Sequence, residues 1–473
     1  MSDETLPAGW VEVLFEEILT KLANGTTAEQ HKDPPGIPVS RIETISEAKI
    51  NFGKVRYVRD ASPELRERFF LQPGDILFSH INSDSHLGKC ALFKGGRELL
   101  HGMNLLLMRV SAAALPEFIE QFLGCLRARG YFMQIAQHAV NQSSLNQKKI
   151  NQIPIPLPPL AEQKRIVAKI EELFSELEAG EASLRKARRQ LGVYRQSLLK
   201  QAFEGKLTQK WRTQNRDKLG KPLTASTKLD VEPGPLPPGW IWQTINEVAE
   251  VTGGLTKNSK RDSLPLRIPY LRVANVYSNE LRLDEIKDIG VTAAEANKVR
   301  LVKGDLLIVE GNGSLDQIGR VAAWNGSISD CGHQNHLIRA RCYPNAHYAF
   351  VLMFLRSPHG RDVIEKRAAS TSGLHTLSVS KVQRLPVPLC SLPEQQEIVR
   401  LLDEQFEAIE RNERELDAAL QRSEALRQAI LKKAFSGRLV PQDPADEPAA
   451  TLLARLRSER AAAPTTKRKS ALS

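Results

Sequence analysis

From Ile166 the apolar residues fall at steps of four and three through Ile170, Leu173, Leu177, Leu184, Ala187, Leu191, Tyr194 and Leu198, and only Gly180 interrupts the series. The same stepping runs through Ile398, Leu402, Ile409, Leu416, Ala419, Leu426 and Ile430, with polar Gln405, Asn412 and Ser423 in register. Sustained heptads of this kind predict two coiled-coil helices, each about 65 Å long for ~43 residues at 1.5 Å per residue. Pro154, Pro156, Pro158 and Pro159, and Pro386, Pro388 and Pro393, mark where neither helix has yet begun. The early half of each helix is acidic (Glu171, Glu172, Glu176, Glu178, Glu181; Asp403, Glu404, Glu407, Glu410, Glu413) and the late half basic (Arg185, Lys186, Arg188, Arg189, Arg195; Arg422, Arg427, Lys432, Lys433). A parallel pair would set acid against acid, so many small terms of a few tenths to about 1 kcal/mol each favour an antiparallel pair.

Ahead of each helix the pattern is mixed. Gly74-Asp75-Ile76-Leu77-Phe78 and Gly304-Asp305-Leu306-Leu307-Ile308 read as turns feeding buried strands. Leu105–Val110 and Leu337–Arg341 are further strand candidates, and Pro116–Ile135 and Ala346–Arg356 carry helical patterns. An α+β domain precedes each helix.

These matches are parts of one duplication. Pro154, Glu162 and Phe203 recur as Pro386, Glu394 and Phe435, each 232 residues on, and Leu6-Pro7-Ala8-Gly9-Trp10 recurs as Leu236-Pro237-Pro238-Gly239-Trp240. A solenoid repeat has a period of about 20–50 residues, so the unit here is a whole domain with its helix. The expected division is 1–152 (first α+β domain), 153–207 (helical region), 208–235 (linker), 236–384 (second α+β domain), 385–440 (helical region) and 441–473, a mobile basic tail with a short helix through Leu452, Leu453 and Leu456. Two antiparallel equivalent helices place a pseudo-two-fold axis between the domains. Two-fold-related readers suit duplex DNA.

At 473 residues, two or more hydrophobic cores are affordable. No window approaches the ~18 uninterrupted apolar residues of a membrane span, and the start, Met1-Ser2-Asp3-Glu4, shows no secretory signal. Five cysteines without a CxxC pair argue against zinc ribbons and disulfide frameworks, and for the cytoplasm. The formal net charge of +11 favours a polyanionic partner.

Catalytic motifs are missing. Asp33-Pro34-Pro35-Gly36 lacks the aromatic of an amino-methyltransferase motif and reads as a turn, and Gly88-Lys89 is not a P-loop because Ser83 stands where the earlier glycine belongs. His333 and His336 have no second cluster to make a metal site. The polar loops are better suited to DNA: Thr26, Thr27, Arg41, Asn104, Gln142, Ser143, Ser144 and Lys148 in the first domain, and Thr256, Lys257, Arg272, Gln334, Asn335, Thr371, Ser372 and His375 in the second. Arg and Lys pair with guanine and Asn and Gln with adenine, while glycine-rich loops let backbone amides approach phosphate. Such clusters occur in both copies.

The Leu-Pro-x-Gly-Trp start, the Gly-Asp-[Ile/Leu]-Leu strand and the Pro-[Ile/Val]-Pro-Leu…Glu-Gln-x-x-Ile-Val approach to a long helix, all repeated between Leu6 and about Leu439, resemble the specificity (S) subunit of type I restriction–modification systems. The resemblance implies two pseudo-two-fold-related α+β target recognition domains joined by two long antiparallel coiled-coil helices. It also implies a bipartite double-stranded DNA target with an unspecified gap, and no catalysis by this chain. The implied partners are two methyltransferase (M) subunits carrying S-adenosylmethionine and two restriction (R) subunits using ATP and Mg, in a cytoplasmic, nucleoid-associated prokaryotic complex. Glu162, Gln163, Glu394 and Gln395 are expected to serve structure or M-subunit docking. Two other classes compete, a catalytic DNA-modification enzyme and a coiled-coil protein scaffold. The missing motifs disfavour the first, and the basic charge and polar loops the second.

Overall fold

A computed structural model describes residues 5–462 except 47–48, 84–85, 140–141, 221–222, 227–228, 230–233, 312–316 and 369–375. The chain forms two compact units, and each draws on both copies: one comprises Met1–Leu184 with Ala418–Ser473, the other Arg185–Asp417.

In the first unit, strands β1 (Val11–Leu14), β2 (Leu19–Asn24), β3 (Ile76–Phe78), β4 (Cys90–Leu92), β5 (Leu106–Val110) and β6 (Pro154–Leu157) lead to helix α2 (Leu160–Phe203), with helix α1 (Pro116–Ala128) between β5 and β6. Four of them form an antiparallel sheet in the order β2-β5-β3-β4. The second unit repeats the arrangement with β7 (Ile241–Thr244), β8 (Ala249–Gly253), β9 (Leu306–Val309), β10 (Val321–Ala323), β11 (Leu337–Cys342) and β12 (Pro386–Leu389), with helices α3 (Tyr348–Arg356) and α4 (Leu392–Phe435). Its sheet order, β8-β11-β9-β10, is the same. The proline runs are strands of two-stranded ribbons, with Val11 opposite Leu157 and Ile241 opposite Leu389. Proline costs a ladder hydrogen bond, and an edge strand tolerates it. The helix expected over Pro116–Ile135 breaks at Gly130, whose φ of +73° starts a second short helix, Tyr131–Ile135.

Each sheet packs one face against the helices. In the first unit Ile76, Phe78, Leu106 and Met108 bury against Phe118, Phe122, Ile166, Ile170 and the far end of α4, through Ile430, Ala434 and Phe435. The second unit does the same with Leu306, Ile308, Ile338, Phe350, Phe354, Ile398 and Leu402 against the end of α2, through Leu198, Ala202 and Phe203.

The antiparallel pairing is visible within each unit. In the second, Arg195 of α2 reaches Glu413 of α4 at 3.3 Å and lies over the Phe406 ring at 5.4 Å. In the first, Arg427 reaches Glu181 at 3.7 Å and lies over Phe174 at 4.5 Å. These are the same three positions, exchanged between copies at an offset of 232. Late-half arginine thus meets early-half glutamate, as the charge pattern requires. Two expected seam residues are largely exposed, Tyr194 at 46% and Leu426 at 51%, although the Tyr194 hydroxyl still donates to Gln405 of the facing helix at 3.3 Å.

The region expected to be a mobile tail is folded as far as it is described. Helix α5 (Ala449–Ala462) buries Leu452 and Leu453 in the first unit, Ala449 donates its N–H to the Gly9 carbonyl, and Asp446 pairs with Arg165 at 2.6 Å. The start of the expected linker is held likewise in the second unit, where Arg212 pairs with Glu394 at 2.8 Å. In both places apolar or charged partners that periodicity cannot reveal fix the chain.

Candidate nucleic-acid interface

A buried acid braces each sheet. Asp75 accepts two hydrogen bonds from Arg109, at 2.6 and 2.8 Å, and one from the Gln72 N–H. Asp305 repeats this with Arg341, at 2.7 and 2.8 Å, and with the Val302 N–H. The Gly-Asp motif is therefore a turn whose carboxylate clamps the neighbouring strand by paired, charge-assisted bonds.

At the end of β2 the chain crosses a second turn. Thr26 donates its N–H to the His101 carbonyl, and in the other copy Leu255 donates to His333, both at 2.9 Å. An added Cβ at Gly25 would lie 2.0 Å from the Gly102 carbonyl, and at Gly254 2.2 Å from that of His333. Only glycine lets the two backbones meet. The glycine-rich loops therefore dock on a neighbouring turn and place the residues after them.

In the first domain those residues border a cleft of about 580 Å³ lined by Thr27, Ala28, Gln30, Arg41, Ile42, Glu43, Ser46, His86, Met103 and Asn104. Three expected contact residues, Thr27, Arg41 and Asn104, converge here from separate loops. Arg41 is paired with Glu43 at 3.3 Å and remains 40% exposed. Asn104 is exposed in a left-handed turn with φ +68°. Gln30, Ser46, His86 and Met103 also line the cleft and were not anticipated. The signal for His86 lay in a repeated four-residue turn. Met103, 48% exposed among loop residues, offers apolar surface of the kind that meets a thymine methyl.

Other expected contacts fare differently. Thr26 is buried and its hydroxyl accepts the Ala28 N–H, so its side chain is enclosed by the loop it shapes. Ser143 is buried as well, in the strand Gln142–Ser144, where Ser144 is half-buried. Lys148 is exposed on the short helix Gln147–Asn151. In the second domain Thr256 and Lys257 are exposed, whereas Gln334 and Asn335 are half-buried beside them. The Arg272 guanidinium donates to the Glu285 carbonyl at 3.0 Å and pairs with its carboxylate at 3.4 Å, so it braces a loop. Thr371, Ser372 and His375 lie outside the described residues.

His333 is fully buried with Nδ1 3.2 Å from the Val299 carbonyl, and His336 Nδ1 lies 2.9 Å from Glu310. Among the described residues no group of three or more His, Cys, Asp or Glu side chains is placed to hold a metal ion. Nor, among them, is any helix long and apolar enough to cross a membrane.

The repeated Glu-Gln pairs are structural. Gln163 accepts from the Leu115 N–H and donates to the Ala113 and Pro158 carbonyls; Gln395 accepts from the His347 N–H and donates to those of Asn345 and Cys390. Glu162 accepts from Trp10 Nε1 at 3.0 Å and from Gln442 at 3.2 Å, and burial pushes its carboxyl above the usual range. Glu394 accepts from Thr208 and Arg212, at 2.8 and 2.9 Å. All four are at most 1% exposed, which removes docking as their role.

Comparison with known proteins gives a consistent picture. A family profile described as type I restriction modification DNA specificity domain matches residues 7–184 and 237–421. The chain is 28% identical to the type I restriction enzyme EcoKI specificity subunit of Escherichia coli K12 over 481 aligned residues, 98% of each chain. It is 39% identical to a provisionally named MjaX specificity subunit of Methanocaldococcus jannaschii over 218 residues, 44% of this chain and about half (51%) of that one. A chain from a solved structure of a type I R-M system aligns with TM-score 0.66 at 20% identity, over 92% of this chain and 100% of that one. The HsdS subunit of Thermoanaerobacter tengcongensis aligns at 0.52 and 19% identity, over 93% and 99%.

Proposed function

The chain belongs to the type I restriction–modification DNA specificity family, and from that premise we propose that each α+β domain reads one half of a bipartite duplex target. The chain specifies sequence and does no chemistry itself. The observation that carries the reading is the cleft of the first domain, where Thr27, Arg41 and Asn104 meet His86 and Gln30. It gathers cationic, amide and hydroxyl groups on loops that leave a sheet braced by a buried acid, as direct readout of base edges requires. Exposed Thr256 and Lys257, with Gln334 and Asn335 beside them, form the corresponding group of the second domain.

In this proposal the chemistry arrives with partners. Two M subunits supply S-adenosylmethionine for adenine methylation, two R subunits use ATP and Mg, and the complex works in the cytoplasm on the nucleoid. A net charge of +11 is modest for a long duplex footprint, so the M subunits contribute further phosphate contacts. The test is DNA binding by the M–S complex against salt. Six or more phosphate contacts predict a loss on the order of 10³ in affinity between 50 and 200 mM salt. A flat response, or equal affinity without M, contradicts the reading.

A further inference from the structure

Beside the cleft one turn is built twice. His86-Leu87-Gly88-Lys89 corresponds to Gln317-Ile318-Gly319-Arg320, 231 residues on. Both turns hang on the same backbone frame. Gly88 donates to the Ser79 carbonyl at 2.9 Å and Ser79 donates to that of Lys89 at 2.8 Å; Gly319 donates to Val309 at 3.1 Å and Val309 to Arg320 at 2.9 Å. Each glycine is obligatory, with φ of +75° and +65°, and an added Cβ would lie 2.2 Å from the Phe132 ring or 2.5 Å from Ile364. Leu87 and Ile318 are buried and anchor the turns in the domain cores. The unit thus fixes a polar side chain at its first position against a cation at its last.

Lys89 Nζ donates to the Ser46 carbonyl at 2.7 Å and lies 2.8 Å from His86 Nδ1. An ammonium has three protons and no lone pair, so Nδ1 is the acceptor and the ring hydrogen sits on Nε2. In the second domain Arg320 Nη1 donates to Gln317 Oε1 at 3.3 Å. The guanidinium is itself seated over the Tyr277 ring, 5.0 Å from its centroid. In both turns the cation occupies an acceptor of the side chain three residues before it.

We propose that His86 is a base-reading residue of the first domain, held by Lys89 as an Nε2–H donor, and that Gln317 with Arg320 is the equivalent pair in the second. The proposal rests on the DNA reading given above. His86 lines the cleft beside Arg41 and Asn104, so its donor is offered where base edges would lie. A donor in the major groove selects purine N7, guanine O6 or thymine O4, and rejects the amino groups of cytosine and adenine. Lys89 is a positioning residue: it acts through His86 and sets which nitrogen of the ring carries the hydrogen.

The test uses this chain assembled with its methyltransferase subunits, and maps the methylated motif on a randomised DNA library. The unmodified complex must first yield a bipartite motif; its failure to do so would remove the DNA reading itself, a result distinct from failure of the lock. His86→Ala should relax one base position of the first domain's half-site, with discrimination there falling roughly tenfold, and leave the other half-site intact. Lys89→Met should relax that same position, Lys89→Arg should preserve it, and the double variant should lose no more than either single one, because the two residues act as a unit. Long-range ¹H–¹⁵N correlation of the His86 ring should show the Nε2–H form in the unmodified protein and a mixture in Lys89→Met. A Lys89→Met variant that weakens methylation of every sequence alike, with the preferred base unchanged, would make Lys89 a phosphate contact and overturn the proposal. An unaltered motif in His86→Ala would overturn it as well.

Discussion

His80, His101 and His333 are buried histidines, and burial pushes each ring down to about 4. His101 and His333 occupy equivalent turns, and His80 Nδ1 has no hydrogen-bond partner among the described residues. In the unfolded chain such rings titrate near 6.5. Between pH 6.5 and about 4 the unfolded state therefore binds protons that the folded state refuses, so their stabilisation is complete above pH 6.5 and is lost as the pH falls. Each ring contributes on the order of 1–3 kcal/mol across that window. Thermal unfolding from pH 7.5 to 5 should show a falling midpoint, and His101→Asn should flatten the slope. A midpoint independent of pH would contradict their burial as neutral rings. Residue type alone hid this: His333 reads in sequence as a conceivable metal ligand, and Thr26, Ser143 and Arg272 as loop polarity. What decides between solvent and core is the neighbouring turn or strand, brought in from about 75 residues away for Thr26 by the chain's closure onto His101.

Among the elements, the long helices were the most legible, because heptad spacing and the acid-to-base gradient are both local patterns. The ribbons of prolines and the sheet order were not, since strand pairing joins segments as far apart as Val11 and Leu157. The helix ends are committed to domain cores: Leu198, Leu199, Ala202 and Phe203 are buried in one, and Ile430, Leu431, Ala434 and Phe435 in the other. A change of helix length belongs in the half-exposed middle. One heptad inserted after Leu184 and one after Asp417, where the helices pass between compact units, keeps the seam in register. The pair adds about 10 Å at 1.5 Å per residue, equal to about 3 bp at ~3.4 Å per bp. Methylation mapping of this variant should return both half-sites unchanged with a gap longer by about 3 bp, less whatever the DNA absorbs by bending. An unchanged gap with activity retained would mean that the helices join the domains without measuring between them.

For the whole molecule, duplication is the organising fact. Each unit is completed by the other copy: the first takes the end of α4 and helix α5, the second the end of α2 with Thr208 and Arg212 against Glu394. The frame positions are the same in both copies (Asp75 and Asp305, Gln163 and Gln395, Arg195 and Arg427), whereas the loops that follow Gly25 and Gly254 share little. That contrast is what modular reading requires, a common frame carrying two different sets of contacts. Sequence revealed the duplication and the family it resembles. It could not say which polar loop residues converge, because Thr27, Arg41, His86 and Asn104 meet only once the sheet has formed. The measurement that tests the central claim most directly is an exchange of residues 15–150 for the matching part of another family member, leaving the Val11–Leu14 and Pro154–Leu157 ribbon in place. Sequencing of DNA methylated by the resulting complex should return a motif in which one half is new and the other half is unchanged. A motif altered in both halves, or in neither, would contradict independent reading by the two domains.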